Sequence, residues 1–213
     1  MDIESSGRRK IRLGVPSAFA VWWLMPRLAA LQAALPELDL DIIPMAVVEP
    51  LSRHPDFDAV IMGGEFRPQA DMTAIRFMDD EFGPVATPGL VSALRLVDGP
   101  ERLAKAVGLG MRSAPGLWND WFTESAVQPV AFARMQDFED LLLAIGAARS
   151  GIGVAIAPKT AIGDDLARGT LVAPYGFIRR PAGFTISFRS ADAARKPFAA
   201  LGEWLAQAGS SEN

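Results

Sequence analysis

Residues Phe138–Tyr175 run FEDLLLAIGAARSGIGVAIAPKTAIGDDLARGTLVAPY, and Ile11–Pro44 run IRLGVPSAFAVWWLMPRLAALQAALPELDLDIIP. In both, short apolar stretches alternate with a longer stretch of helical apolar period, the pattern of a parallel-sheet unit whose strands are joined by a helix. In the first stretch, Asp137 is expected to cap a helix running to Arg149, with Asp140 three residues on as a weaker relative of the capping box. Gly151 then offers a left-handed helix end, Ile152–Ala157 a fully apolar strand, and Pro158 the start of a helix ending near Gly169. In the second, Ile11–Val15 is a strand and Ser17 has the chemistry of an N-cap. The helix beyond is apolar almost all round, through Phe19, Val21, Trp22, Trp23, Leu24, Met25, Leu28, Leu31 and Leu35, which means burial or cover by a partner. Pro26 should kink it. Leu38–Ile43 is the returning strand.

The remaining chain continues the alternation. Phe57–Met62 is a strand closed by Gly63-Gly64. Thr73–Phe77 and Glu81–Ala86 are two extended segments, the second bearing Pro84 and so suited to an edge or a crossover. A helix at about Glu101–Ala106, a strand Val107–Met111 and a tryptophan-bearing helix from Leu117 follow. Pro129–Met135 and Gly183–Phe188 are further strands, and Ala191–Gln207 is a last helix. The βαβ order argues a parallel α/β architecture with helices on both faces. An internal echo suggests two similar halves: LGVPSA at Leu13–Ala18 returns as LGMRSA at Leu109–Ala114, with Trp22 and Trp118 following at the same distance.

Composition excludes several functions. A net charge of −4 gives no surface for neutralising phosphates. Without cysteine there is no thiol nucleophile, disulfide or cysteine zinc site. The one histidine, His54, falls in a loop, and no G-x-S-x-G, P-loop or complete dinucleotide fingerprint occurs. Asp79-Asp80-Glu81 is the densest acid run and is expected to be a solvated turn. Asp164-Asp165 is expected to be a helical surface pair. The polar start MDIESSGRRK has no apolar signal region, and no apolar run reaches the roughly 18 residues of a membrane span. The expectation is a cytoplasmic protein with no catalytic residues, no metal and no cofactor.

Three segments carry a family resemblance: WWLMPRLAALQAALPELDL at residues 22–40, FGPVATPGL at 82–90 and GIGVAIAPKTAIGDDLARGTLV at 151–172. They resemble the effector-binding domain of LysR-type transcriptional regulators. The resemblance implies an α/β fold of two Rossmann-like lobes joined by two crossover strands, the type 2 periplasmic-binding-protein fold. It implies a tail at 1–9, a first lobe at 10–82 plus 184–208, and a second lobe at 83–183. The helix–turn–helix domain of the family is absent from this stretch, so DNA would be reached only through a domain outside it. The implied partners are a small-molecule effector, a carboxylate, in the interlobe cleft, and a second copy in a homodimer, or a tetramer for the full-length protein. The candidate dimer residues are Leu28, Leu31, Gln32 and Leu35 with Leu142, Ile145 and Arg149.

Ligands in open α/β sheets lie beyond the C-terminal ends of the strands. That places Ser17, Ala18, Ala46, Gly63, Gly64, Arg112, Ser113 and Trp118 at the site, and Thr87 joins them by matching the family's threonine or serine after the first crossover. Ser17 either gives its hydroxyl and flanking amides to a carboxylate, favoured by the helix dipole, or only caps its helix. Gly63-Gly64 is an ordinary turn or, in the family's pattern, a widening of the pocket, and Thr87 is a pocket residue or only a hinge turn. Arg112 is an anion fork or a surface arginine, and Trp118 an aromatic wall or a core residue. A solute-binding protein of the same fold is the second reading, and an enzyme on this fold the third.

Overall fold

The computed structural model describes residues 9–45, 49–63 and 70–210. Strand β1 is Arg9–Pro16. Helix α1 follows in three consecutive stretches, Ser17–Phe19, a π turn at Ala20–Leu24, and Met25–Ala34. Then come β2 at Leu38–Met45, β3 at Ala59–Gly63, β4 at Met72–Val85, α2 at Pro88–Leu94, β5 at Val107–Met111 and α3 at Leu117–Glu124. The chain ends through β6 at Arg134–Phe138, α4 at Leu141–Arg149, β7 at Val154–Pro158, α5 at Gly163–Arg168, β8 at Ile178–Arg189, α6 at Ser190–Ala193 and α7 at Lys196–Ser210. Two compact units result, Met1–Asp80 with Pro181–Asn213, and Glu81–Arg180.

In the first unit the strand order is β2-β1-β3-β8-β4. β1 runs parallel to β2 and β3, and β8 is antiparallel to β3. Alternate residues of these strands, among them Ile11, Leu13, Val15, Ala59, Ile61, Phe184, Ile186 and Phe188, build one apolar face. Phe19, Trp23, Leu24 and Leu31 of α1 cover it together with Phe198, Leu201 and Leu205 of α7. α7 reaches the sheet closely because Gly202 and Gly209 carry no side chain there; a Cβ on Gly202 would lie 2.6 Å from the Ile75 Cδ1, and one on Gly209 would strike the Phe77 carbonyl.

In the second unit the order is β4-β7-β5-β6, with β4 antiparallel to β7 and the rest parallel. Trp118, Trp121 and Phe122 of α3 pack with Phe82, Leu96, Leu103, Val154 and Ile156. The LGVPSA/LGMRSA echo has a structural counterpart. β1 lies between β2 and β3 as β5 lies between β6 and β7. Leu13 stands opposite Ala59 and Leu109 opposite Ala155, so both pairs repeat after 96 residues (109 − 13 and 155 − 59).

Several local expectations change. Pro26 is met by the π turn: the Met25 N–H bonds the Ala20 carbonyl five residues back, widening the backbone where the proline ring would otherwise meet a carbonyl of the preceding turn. Thr73–Phe77 and Glu81–Val85 are parts of one 14-residue strand, β4, and Ala86 beyond it bridges to Val172. The acid run therefore lies in a strand instead of a solvated turn, and Asp80 is 1% exposed. The strand sought at Pro129–Met135 lies at Arg134–Phe138, so Asp137 is in β6 and Asp140 caps α4, accepting from the Leu143 N–H at 3.0 Å. Thr87 caps α2, a helix that the sequence reading passed over. Asp165 is not a surface residue, being buried beside Arg149.

Candidate functional site

The first unit presents the C-terminal ends of β1, β2 and β3 at one edge. The register fixes what stands there. Pro16 lies opposite Met45, Gly14 opposite Val60, so that Pro16 is level with Met62, and Met62 opposite Thr185. Ser17 follows Pro16 directly and opens α1. It does not cap the helix: Pro16, with φ −57° and ψ 132°, occupies the cap position and no side chain accepts there. Its half-buried hydroxyl makes no hydrogen bond among the described residues. The amides of the first helical turn lack intrahelical acceptors by position and carry the positive end of the helix dipole. Ala18 turns its methyl into the core at 8% exposure, so only its backbone is available.

Gly63 ends β3. A Cβ there would lie 2.8 Å from the Phe184 ring, which packs on Phe19 at a centroid distance of 5.0 Å. The space beside Gly63 is thus filled by an aromatic side chain, which corrects the expectation that this glycine enlarges a pocket. Ala46 and Gly64 lie outside the described residues.

In the second unit Thr87 accepts the Leu90 N–H at 3.4 Å, which leaves its hydroxyl proton free to donate. Arg112 extends from the end of β5, its backbone N–H bonding the Phe138 carbonyl at 2.9 Å. Its guanidinium pairs with Glu139 at 3.1 Å, both side chains well exposed. An exposed pair of this kind contributes little and exchanges readily. Ser113 is half-buried, its N–H on the Glu139 carbonyl at 3.2 Å. Trp118 is a core residue: its indole N–H donates to the Leu109 carbonyl at 3.1 Å, and Trp121, Phe122 and Phe132 pack around its ring. The structure therefore brings Ser17, the backbone of Ala18 and Gly63 to the edge of one unit, and Arg112 and Ser113 to the end of β5 in the other. Thr185, on β8, is the rim position that the sequence reading missed, because a strand that returns antiparallel was not counted among the strand ends.

His54 stacks on Phe57 at 4.9 Å and its Nε2 lies 3.8 Å from Glu49. Among the described residues no group of three or more His, Asp or Glu side chains comes close enough to hold a metal ion, and no helix is long and apolar enough to cross a membrane.

Residues 4–210 match the family model described as the LysR substrate binding domain. The chain belongs to that family. This LysR domain is 37% identical over 171 residues to the HTH-type transcriptional regulator TrpI of Pseudomonas aeruginosa, covering 80% of this chain and 58% of TrpI. It is 30% identical over 203 residues to the HTH-type transcriptional activator AmpR of Rhodobacter capsulatus, covering 93% of this chain and 68% of AmpR. The chain thus spans little more than half of TrpI. Its fold matches the effector domain of AmpR of Pseudomonas aeruginosa with a TM-score of 0.77 at 22% identity, covering 96% of this chain and 97% of that one. The regulatory domain of CrgA from Neisseria meningitidis matches with a TM-score of 0.75 at 16% identity, over 94% and 98% of the two chains. The LysR domain therefore has the type 2 periplasmic-binding-protein fold of those effector domains.

Proposed function

We propose that this LysR domain is the small-molecule-sensing module of a cytoplasmic transcriptional regulator and that it binds a carboxylate effector. The observation that carries this reading is the Ser17 hydroxyl, half-buried at the first turn of α1 and committed to no capping bond. A hydroxyl beside free helix-terminal amides is a ready anion site. The relatives named above are helix–turn–helix regulators, which supports a sensing role over transport. With a net charge of −4 the domain itself offers DNA no counter-surface, so DNA contact belongs to another part of the regulator. Catalysis has no support in the residues around His54.

Self-association completes the reading. Leu31 and Ile145, two of the expected dimer residues, are buried in the domain's own core, and Arg149 is held by Asp165. The exposed face of α1 instead shows Val21, Met25, Ala29 and Ala33, each four residues from the next, with no charged residue among them. A twofold arrangement would bury this face against its own copy.

A thermal-shift measurement with a protein-free small-molecule extract of bacterial cells tests the sensing role. The melting temperature rises if an effector is present, because a ligand that binds only the folded state stabilises it. An unchanged melting temperature, with extracts from several growth conditions, contradicts the reading.

A further inference from the structure

The second face of the first unit's sheet carries two buried hydroxyls. Thr185 and Ser187, both on β8, are 4% and 3% exposed, and among the described residues the oxygen of neither has a hydrogen-bond partner. Buried hydroxyls are ordinarily satisfied, and one that is not has lost its water without compensation. The register places the two in successive rows. The upper row crosses the sheet as Met45, Pro16, Met62 and Thr185; the lower as Ile43, Gly14, Val60 and Ser187. The upper row is the rim itself, since Ser17 follows Pro16 and Gly63 follows Met62 in the chain. The lower row lies about 6–7 Å deeper along the strands.

The row's other three side chains are Met45, Pro16 and Met62, none of which donates a hydrogen bond. Met45 and Met62 belong to a small apolar cluster with Leu51, Val60, Phe57 and Met72, so Thr185 is the one hydroxyl of an otherwise apolar, largely buried row. Pockets for small molecules have this make-up, mostly apolar with a few placed polar groups. An unpaired hydroxyl at such a place is the local cost expected at a functional site.

We infer that Thr185 is an effector-contacting residue, its hydroxyl donating to an acceptor oxygen of the bound molecule on the side of the rim away from Ser17. This inference rests on the effector-binding reading of the strand ends. It makes the effector a molecule with two separate acceptor groups, one at the α1 terminus and one at β8. Ser187, with the same chemistry one row deeper, takes no part.

Thr185→Val, Thr185→Ser, Ser187→Ala and Ser17→Ala, each in the whole chain, are compared with the wild type by thermal shift, with and without the cell extract as probe. Thr185→Val is expected to melt at or above the wild-type temperature without extract and to lose at least half of the extract-induced shift. Thr185→Ser should restore that shift, and Ser187→Ala should keep it. If Thr185→Val keeps the full shift while Ser17→Ala loses it, Thr185 is outside the site although the domain remains a sensor. If Thr185→Val melts lower without extract, or if both β8 variants lose the shift alike, the hydroxyls serve packing and the inference is overturned. If the wild type shows no shift, the sensing reading falls and this inference with it.

Discussion

Arg149 closes on Asp165 through three contacts, Nε to the two carboxylate oxygens at 3.0 and 3.1 Å and Nη2 to one of them at 2.6 Å. The Thr170 hydroxyl adds a fourth at 2.8 Å. The C-terminal turn of α4 is thereby tied to α5. Burial alone would raise the Asp165 carboxyl, but the Arg149 and Thr170 hydrogen bonds and the charges of Arg149 and Arg168 outweigh it, and its pKa lies below the usual aspartate value. Because the folded-state value is depressed, the stabilisation is full above the ordinary carboxylate range and is lost as pH falls through the lowered value. Asp165→Asn should cost about 2 kcal/mol at neutral pH, the size of hydrogen bonds to a charged group. Urea unfolding at neutral and strongly acid pH checks this, and the gap between variant and wild type should shrink in acid.

Tyr175, the only tyrosine, donates to the Gly99 carbonyl at 3.2 Å. Burial, with a smaller push from Glu101, raises its pKa to about 12. A raised folded-state value means that the contribution is complete below the ordinary tyrosine pKa of about 10 and is lost as pH rises towards 12. Tyr175→Phe should therefore lose less stability than the wild type over that alkaline interval. Equal losses in urea midpoints would contradict the assignment.

The glycines divide by what a side chain would strike. At Gly83 a Cβ would meet the Gly176 backbone carbonyl, which cannot swing away. At Gly110 it would meet the carboxylate of Asp137, an exposed side chain that can. Gly83→Ala should cost about 3 kcal/mol or more, the upper part of the range for overpacking, and Gly110→Ala about 1 kcal/mol or less. Thermal unfolding of the two variants orders them.

A dimer built on α1 should separate when its uncharged face gains charge. Ala29→Glu with Ala33→Glu should sediment as a monomer at tens of micromolar, and the wild type should sediment there as a dimer. A wild type that is already monomeric would remove this face from consideration.

The fold was legible where the signal is local and periodic. β1, β5, the start of α3 and the left-handed Gly151 at φ +73° all stand where the residues place them. Features decided by distant neighbours were not. Asp137 and Asp140 have the same capping chemistry, and the choice is made by β6, which draws Asp137 opposite Gly110. Ser17 has the chemistry of a cap, but the extended Pro16 takes that position. Gly63 offers no hint in its own segment that Phe184 will occupy its side-chain space. The site was legible in the same measure. Strand ends pointed to Ser17, whereas Trp118 turned inward because the Leu109 carbonyl was there to receive its N–H.

Ser17 offers the most direct test of the account. Since its hydroxyl makes no capping bond, Ser17→Ala should leave the melting temperature of the free domain unchanged. With the compound that gives the largest thermal shift once the extract is fractionated, calorimetry should show binding weakened by about 1–2 kcal/mol, roughly 5- to 30-fold in Kd, as for a lost hydrogen bond to a charged group. Unchanged affinity would contradict effector binding at the α1 terminus.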